Sequence, residues 1–235
     1  MDHDLLALQL SKLGVILSTT DTLRTCFNSP DVDPVIPWIW DEDHGNPPPG
    51  AFKHAWIPSD LTMEACNKIP ALVNEFVGIT DFAIGPTTES ENPLTPFIEH
   101  SLLQLSHVNY VSLNNANDLF FVFNNLNGLS DLKSIHVAGV ELKEGYSDVG
   151  SASGIQDILM TACNEDVLTL LSMIPGVRRV FLADCPGIQC FDSILNIQTL
   201  EMLVVYNCRD FRSRIHAVRS RFPEVILYTD EETEE

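Results

Sequence analysis

The sequence has no C-x-x-C pair, no His-Glu-x-x-His, no Gly-rich phosphate loop, little basic charge and no long apolar run. Each absence excludes something. Six cysteines in 235 residues are too few for a disulfide framework, and without C-x-x-C spacing neither a zinc ribbon nor a thioredoxin-type site is expected. No N-x-S/T acceptor occurs, since Asn28-Ser29-Pro30 does not qualify. The expected compartment is therefore reducing, cytoplasmic or nuclear, and the chain is not expected to be secreted. The longest apolar candidate, Leu5 to Leu17, is broken by Gln9, Ser11, Lys12 and Gly14. It falls short of the roughly 18 apolar residues of a membrane span. Only 13 Lys and Arg face 33 Asp and Glu, a net charge of −20, which argues against nucleic acid as a partner.

The charge is uneven. Five carboxylates crowd the last seven residues, Thr229 to Glu235, which reads as an acidic tail. Seven of the eight arginines, Arg178, Arg179, Arg209, Arg212, Arg214, Arg219 and Arg221, lie between 178 and 221 with only four acids, a local balance of 7 − 4 = +3. Ordinary surface pairing accounts for such a cluster. Contact with an anion or an acidic partner through Arg209, Arg212 and Arg214 is the sharper alternative.

Residues 1–75 read as an N-terminal cap region. Leu6, Leu10, Leu13 and Leu17 recur at spacings of three and four, predicting an amphipathic helix over 4–17. A second short helix is expected behind the Ser18 to Asp21 caps. Residues 30–60 carry seven prolines and all three tryptophans, Trp38, Trp40 and Trp56. They are expected to form an ordered coil without central strands. A helix resumes over 59–75.

From residue 76 onward a pattern recurs. Strand starts are expected at Phe82, Val111, Ile135, Ile158, Val180, Leu203 and Val225, with steps of 29, 24, 23, 22, 23 and 22. Each strand offers a second inward residue two positions on: Ile84, Leu113, Val137, Met160, Leu182, Val205 and Leu227. Three positions later stand Thr87, Ala116, Val140, Cys163, Cys185, Cys208 and Asp230. One short strand cannot bury its own apolar face, but stacked copies pool their inward residues into one core. Helices are expected between strands at 118–126, 166–173 and 210–220.

Leu132-Lys-Ser-Ile135-His-Val137-Ala-Gly-Val140, Val177-Arg-Arg-Val180-Phe-Leu182-Ala-Asp-Cys185 and Leu200-Glu-Met-Leu203-Val-Val205-Tyr-Asn-Cys208 resemble the cysteine-containing type of the leucine-rich repeat family, found in ribonuclease-inhibitor-like and F-box-associated proteins. The resemblance implies an α/β fold: a curved solenoid of six to seven units over 76–228, with a parallel sheet on its concave face and an irregular helical N-terminal cap. It also implies a non-catalytic module, not an enzyme, that binds a protein partner on that face. Two alternatives accompany it. One is an F-box-like adaptor of a ubiquitin ligase, with residues 4–27 in the recruiting position but without the usual Leu-Pro opening. The other is an accessory subunit of a larger multisubunit assembly, a mitochondrial one included.

Cys163, Cys185 and Cys208 fill one inward column, so they are expected as core and not as metal ligands. The histidines stand in no relay spacing, and neither catalytic residues nor a cofactor is expected. Residues alternating with the inward ones carry the binding expectation. In the C-terminal half these are Leu159, Arg179, Phe181, Met202, Val204, Tyr206, Ile226 and Tyr228. An apolar patch of this kind fits either a partner or a cover supplied by the segment from Trp38 to Trp56.

Overall fold

A computed structural model describes residues 3–18, 52–58, 61–76, 78–85, 97, 101–114, 126, 128–140, 154–188, 191–208 and 211–229. The chain divides into two compact units, Met1–Asn114 and Asn115–Glu235. Both are α/β, with sheets that are parallel except at one strand.

In the first unit, helix α1 (His3–Lys12) leads into strand β1 (Ile16–Ser18). Gly14, at φ +80, turns the chain between them, in a conformation that L side chains rarely adopt. The helix is therefore shorter than the leucine spacing predicts: Leu6 and Leu10 are buried from α1, whereas Leu17 is buried from β1. The short helix expected behind Ser18 lies outside the described residues. Strand β2 (His54–Pro58) pairs antiparallel with β1 and parallel with β3 (Asp81–Gly85). A strand with neighbours on both sides thus stands inside the segment expected to be coil. Pro58 is tolerated because it ends the strand. Ala55 and Ile57 pair with Phe82 and Ile84, so the inward column begins one strand before Phe82. Helix α2 (Met63–Val73) starts where Thr62 Oγ1 accepts a hydrogen bond from Ala65 N at 3.3 Å, and buries Ala65, Cys66, Ile69 and Val73. Strand β4 (Tyr110–Asn114) pairs parallel with β3, placing Val111 and Leu113 beside Phe82 and Ile84.

One residue of this unit is in local conflict. Ser101 is buried and, among the described residues, its Oγ is the one buried side-chain oxygen without a hydrogen-bond partner. Desolvating a hydroxyl without compensation costs about 1–3 kcal/mol. Ser101→Ala is expected to raise unfolding stability by about 1 kcal/mol. A urea midpoint at or below that of the parent protein would count against this.

The second unit holds β5 (Ser134–Ala138), β6 (Asp157–Thr161), helix α3 (Glu165–Ser172), β7 (Arg179–Ala183), β8 (Met202–Tyr206), helix α4 (Arg212–Arg221) and β9 (Ile226–Thr229). All its strand pairs are parallel and follow chain order. Ile135, Ile158, Val180 and Leu203 pair in register, as do Val137, Met160, Leu182 and Val205, and all eight are buried. Each such side chain contributes about 1.5–3 kcal/mol by leaving water. The last strand departs from expectation. Leu227, and not Val225, pairs with Leu203, and Thr229 pairs with Val205. That shift of two residues keeps each side chain on its face but moves Ile226 beside Met202 and Tyr228 beside Val204.

Both helices return the chain close to where the sequence expects. In α3, Asn164 Oδ1 accepts from Val167 N, Glu165 and Asp166 occupy the first turn, and Val167, Leu168, Leu170 and Leu171 are buried. Ahead of α4, Phe211 is buried edge-on against Phe191, centroids 4.8 Å apart. The helix expected over 118–126 lies almost wholly outside the described residues.

Each strand from β5 to β8 ends in a left-handed residue: Gly139 (φ 64), Ala162 (φ 53), Asp184 (φ 50) and Asn207 (φ 48). The left-handed backbone costs a non-glycine residue about 1–2 kcal/mol. It persists because the amide is used. Gly139 N, Ala162 N and Asp184 N donate to Thr161 O, Ala183 O and Tyr206 O on the following strand, at 2.9–3.1 Å. The turn then sends Val140, Cys163, Cys185 and Cys208 into the core.

Candidate functional site

In each unit the sheet face turned away from that unit's core carries a polar row, and in the second unit it carries an apolar strip as well. The first row crosses β1 to β4: Ser18, His54, Asp81 and Tyr110 stand side by side in register. Ser18, Asp81 and Tyr110 are buried, and Ser18 Oγ lies 3.5 Å from His54 Nδ1. Serine, histidine and aspartate in sequence across a sheet invite comparison with a nucleophilic relay. The electrostatics differ from one. Burial alone lowers the His54 pKa from 6.5 to about 4, with no opposing pull from a carboxylate. A relay histidine held by an aspartate would be pulled upward instead. At neutral pH His54 is an uncharged packing residue.

The second row crosses β5 to β7. Asp157 lies between Ser134 and Arg179 in register. Its carboxylate accepts from Ser134 Oγ at 2.7 Å, from Arg179 Nε at 2.6 Å and from Arg179 Nη2 at 2.7 Å. Asp157 is buried, whereas the Arg179 side chain is 39% exposed. The guanidinium fork therefore neutralises a buried carboxylate. This gives Arg179, expected as a partner contact, a structural task. Beside this row, His136 Nε2 lies 3.0 Å from Thr161 Oγ1, and burial holds its pKa at about 4.

The apolar strip lies on β7 to β9. Leu159 and Val204, expected in an exposed patch, are buried. Phe181 and Met202 are half-buried, and Tyr206 and Ile226 are 53% and 50% exposed. Ile226 pairs with Met202, and Tyr206 stands four residues beyond Met202 on the same strand and face, about 13 Å away. Exposure on this face thus increases from β6 toward β8 and β9. The side chain of Tyr228 lies outside the described residues.

The arginines near the strip are engaged. Arg178 pairs with Glu201, Arg214 Nη1 lies 3.4 Å from Asp192 Oδ1, and Arg221 Nη2 donates to Gln198 Oε1 at 2.9 Å. Arg209 lies outside the described residues, as does the side chain of Arg212. Such exposed pairs contribute little to stability, because solvent screens them. The alternation of residues along the strands gave no sign of the Asp157 fork, because acid and arginine are 22 residues apart and meet only through register.

Cys163, Cys185 and Cys208 are buried free thiols. Burial pushes the Cys163 thiol up to about 11. A hydrogen bond from Cys208 pulls the Cys185 thiol below the usual range, against the effect of burial. Among the described residues no group of three or more His, Cys, Asp or Glu is arranged to hold a metal ion, and no helix is long and apolar enough to cross a membrane. No family model matches the chain, and no curated protein matches it.

Proposed function

We propose that this protein is a non-catalytic interaction module of the leucine-rich repeat kind, and that a protein partner binds across β7 to β9. The observation carrying this reading is the exposure of Tyr206 and Ile226 beside half-buried Phe181 and Met202. Aromatic and methionine side chains are the enriched anchors of protein interfaces. They stand on a parallel sheet whose register is fixed by a buried column, so the anchors are held before binding. The strand-start spacing of 22 to 24 residues over β5 to β9 supports the repeat reading.

The test places a photo-crosslinking amino acid at position 206 of the full chain in its native source. A discrete partner protein is expected to crosslink. Tyr206→Ser with Ile226→Ser should weaken its capture by roughly 100-fold, since two interface anchors at about 1.4 kcal/mol each are lost. The melting temperature should hold, because both side chains are half exposed already. Equal capture by parent and double variant, or a melting temperature lowered by several degrees, would remove the reading.

A further inference from the structure

Strand β9 is open at its edge and on both faces. Among the described residues, β8 pairs with it on one side and no strand pairs with it on the other. Ile226 N donates to Glu201 O at 2.9 Å, so Ile226 bonds toward β8. Successive residues of a strand bond to opposite sides, so the N–H and C=O of Leu227 face the open edge. The column of Ile135, Ile158, Val180 and Leu203 is buried, yet Leu227, which pairs with Leu203, is only half-buried. On the other face Ile226 is 50% exposed. Stacked arrays close such an end with a capping unit whose outer face is polar. Edge strands are otherwise blunted by charge or proline. Ile226-Leu-Tyr-Thr229 contains neither.

The sequence on either side of β9 is polarised in charge. Helix α4, before it, carries four arginines and no acid, and Arg219 and Arg221 are exposed. The six residues after it, 230–235, carry five carboxylates. One acid, Glu224, stands between helix and strand. Beside a second copy running parallel, arginine would meet arginine and acid would meet acid. Antiparallel pairing sets each copy's acidic end toward the other's arginine end. Such a contact is self-complementary about a twofold axis and closes at two copies.

We infer that β9 is a homodimer interface, pairing antiparallel with β9 of a second copy across a twofold axis at Leu227. The two Leu227 residues exchange both N–H···O bonds, and their half-buried side chains cover one another at the end of the core column. The occupant of the edge is thus a second copy of this chain. Arg214 and Arg221 already contact Asp192 and Gln198, so the attraction is between the net charges of the two ends and not between new specific pairs. The net charge of −20 on each copy opposes association at long range, which leaves the local polarity to set the orientation. The partner-binding reading uses the outward face of β7 to β9, whereas this inference uses the backbone edge, and neither rests on the other.

Sedimentation equilibrium of the full chain, at about 0.1 mM protein and about 0.15 M salt, is expected to give twice the chain mass of 26.2 kDa. Leu227→Pro removes the outward N–H and spares the bonds to β8, and should weaken association at least about tenfold. Two charge variants test the direction independently of that proline. One carries Arg219→Glu with Arg221→Glu, the other Glu231→Lys with Glu232→Lys and Glu234→Lys. Each alone should self-associate at least about tenfold less tightly than the parent, and an equimolar mixture should form a heterodimer at about the parent's affinity. A parent protein of single-chain mass would overturn the inference, as would assembly beyond two copies. So would a folded Leu227→Pro protein that dimerises like the parent, or a mixture of charge variants no tighter than its components.

Discussion

Arg179→Leu is expected to lower the free energy of unfolding by about 2–4 kcal/mol. The substitution strands the Asp157 carboxylate, which is buried and then keeps only the Ser134 hydroxyl as a side-chain donor in the row. Breaking a buried ion pair from one side costs about 3–5 kcal/mol because the remaining charge has no compensation. The lower figure is used here because the Arg179 side chain is 39% exposed, so part of its interaction is screened by solvent. The two partners are not equivalent. Asp157→Leu leaves an arginine that can turn its guanidinium into water, and its cost should be smaller, about 1–2 kcal/mol. Asp157→Leu with Arg179→Leu should recover most of the loss from Arg179→Leu alone, giving a coupling above about 1 kcal/mol. Urea denaturation of the three variants measures this cycle. An Arg179→Leu protein within about 0.5 kcal/mol of the parent would show that the fork contributes nothing to the fold, and would return Arg179 to the set of residues available to a partner.

That reassignment illustrates what the residues do and do not encode. The inward columns were legible because burial imposes a period: Ile135, Ile158, Val180 and Leu203 share a role that only apolar side chains fill. The small residue after each turn was legible for the same reason, and it identified Cys163, Cys185 and Cys208 as core. The last strand misled because Val225-x-Leu227 and Leu227-x-Thr229 both satisfy the alternation, and only backbone pairing with Leu203 chooses between them. Strand β2 was hidden by its surroundings. Prolines on both sides signalled coil, yet His54 to Ile57 carry none, and Pro58 falls where a strand can end. The opposite face was least legible. Alternation identifies which side chains share a face but not what lies against it, so Leu159 and Val204 could not be told from Tyr206 and Ile226, although the first two are buried and the last two exposed. Polar pairs such as Asp157 with Arg179 depend on the register of two strands, which a single sequence specifies only through its columns.

Stability also depends on pH through two histidines, one in each unit. His54 and His136 each have a folded pKa near 4, lowered from 6.5 by burial, which disfavours the charged ring. Above pH 6.5 both rings are neutral whether the chain is folded or not, and their contribution to stability is complete. As pH falls below 6.5 the unfolded chain takes up protons that the fold refuses, and stability drops. For one histidine the slope approaches about 1.4 kcal/mol per pH unit between the two values. Below pH 4 the folded protein is protonated as well and the loss levels off. Both rings retain some solvent exposure, so the realised loss should be about 1–3 kcal/mol per histidine. Acidification acts in the opposite direction on the chain as a whole, because protonating carboxylates relieves the repulsion of a −20 charge. The informative quantity is therefore a difference. His54→Gln with His136→Gln keeps polar side chains beside Ser18 and Thr161 but cannot take up a proton. Parent and double variant should converge with falling pH: at pH 7.5 the parent is the more stable by whatever the substitutions cost in packing, and by pH 4.5 it has lost about 2–5 kcal/mol relative to the variant. Denaturation curves collected at half-unit intervals give this difference directly. Parallel curves from pH 7.5 to 4.5 would mean that both rings titrate in the folded protein as they do in the unfolded chain, and that neither is held neutral by the sheet.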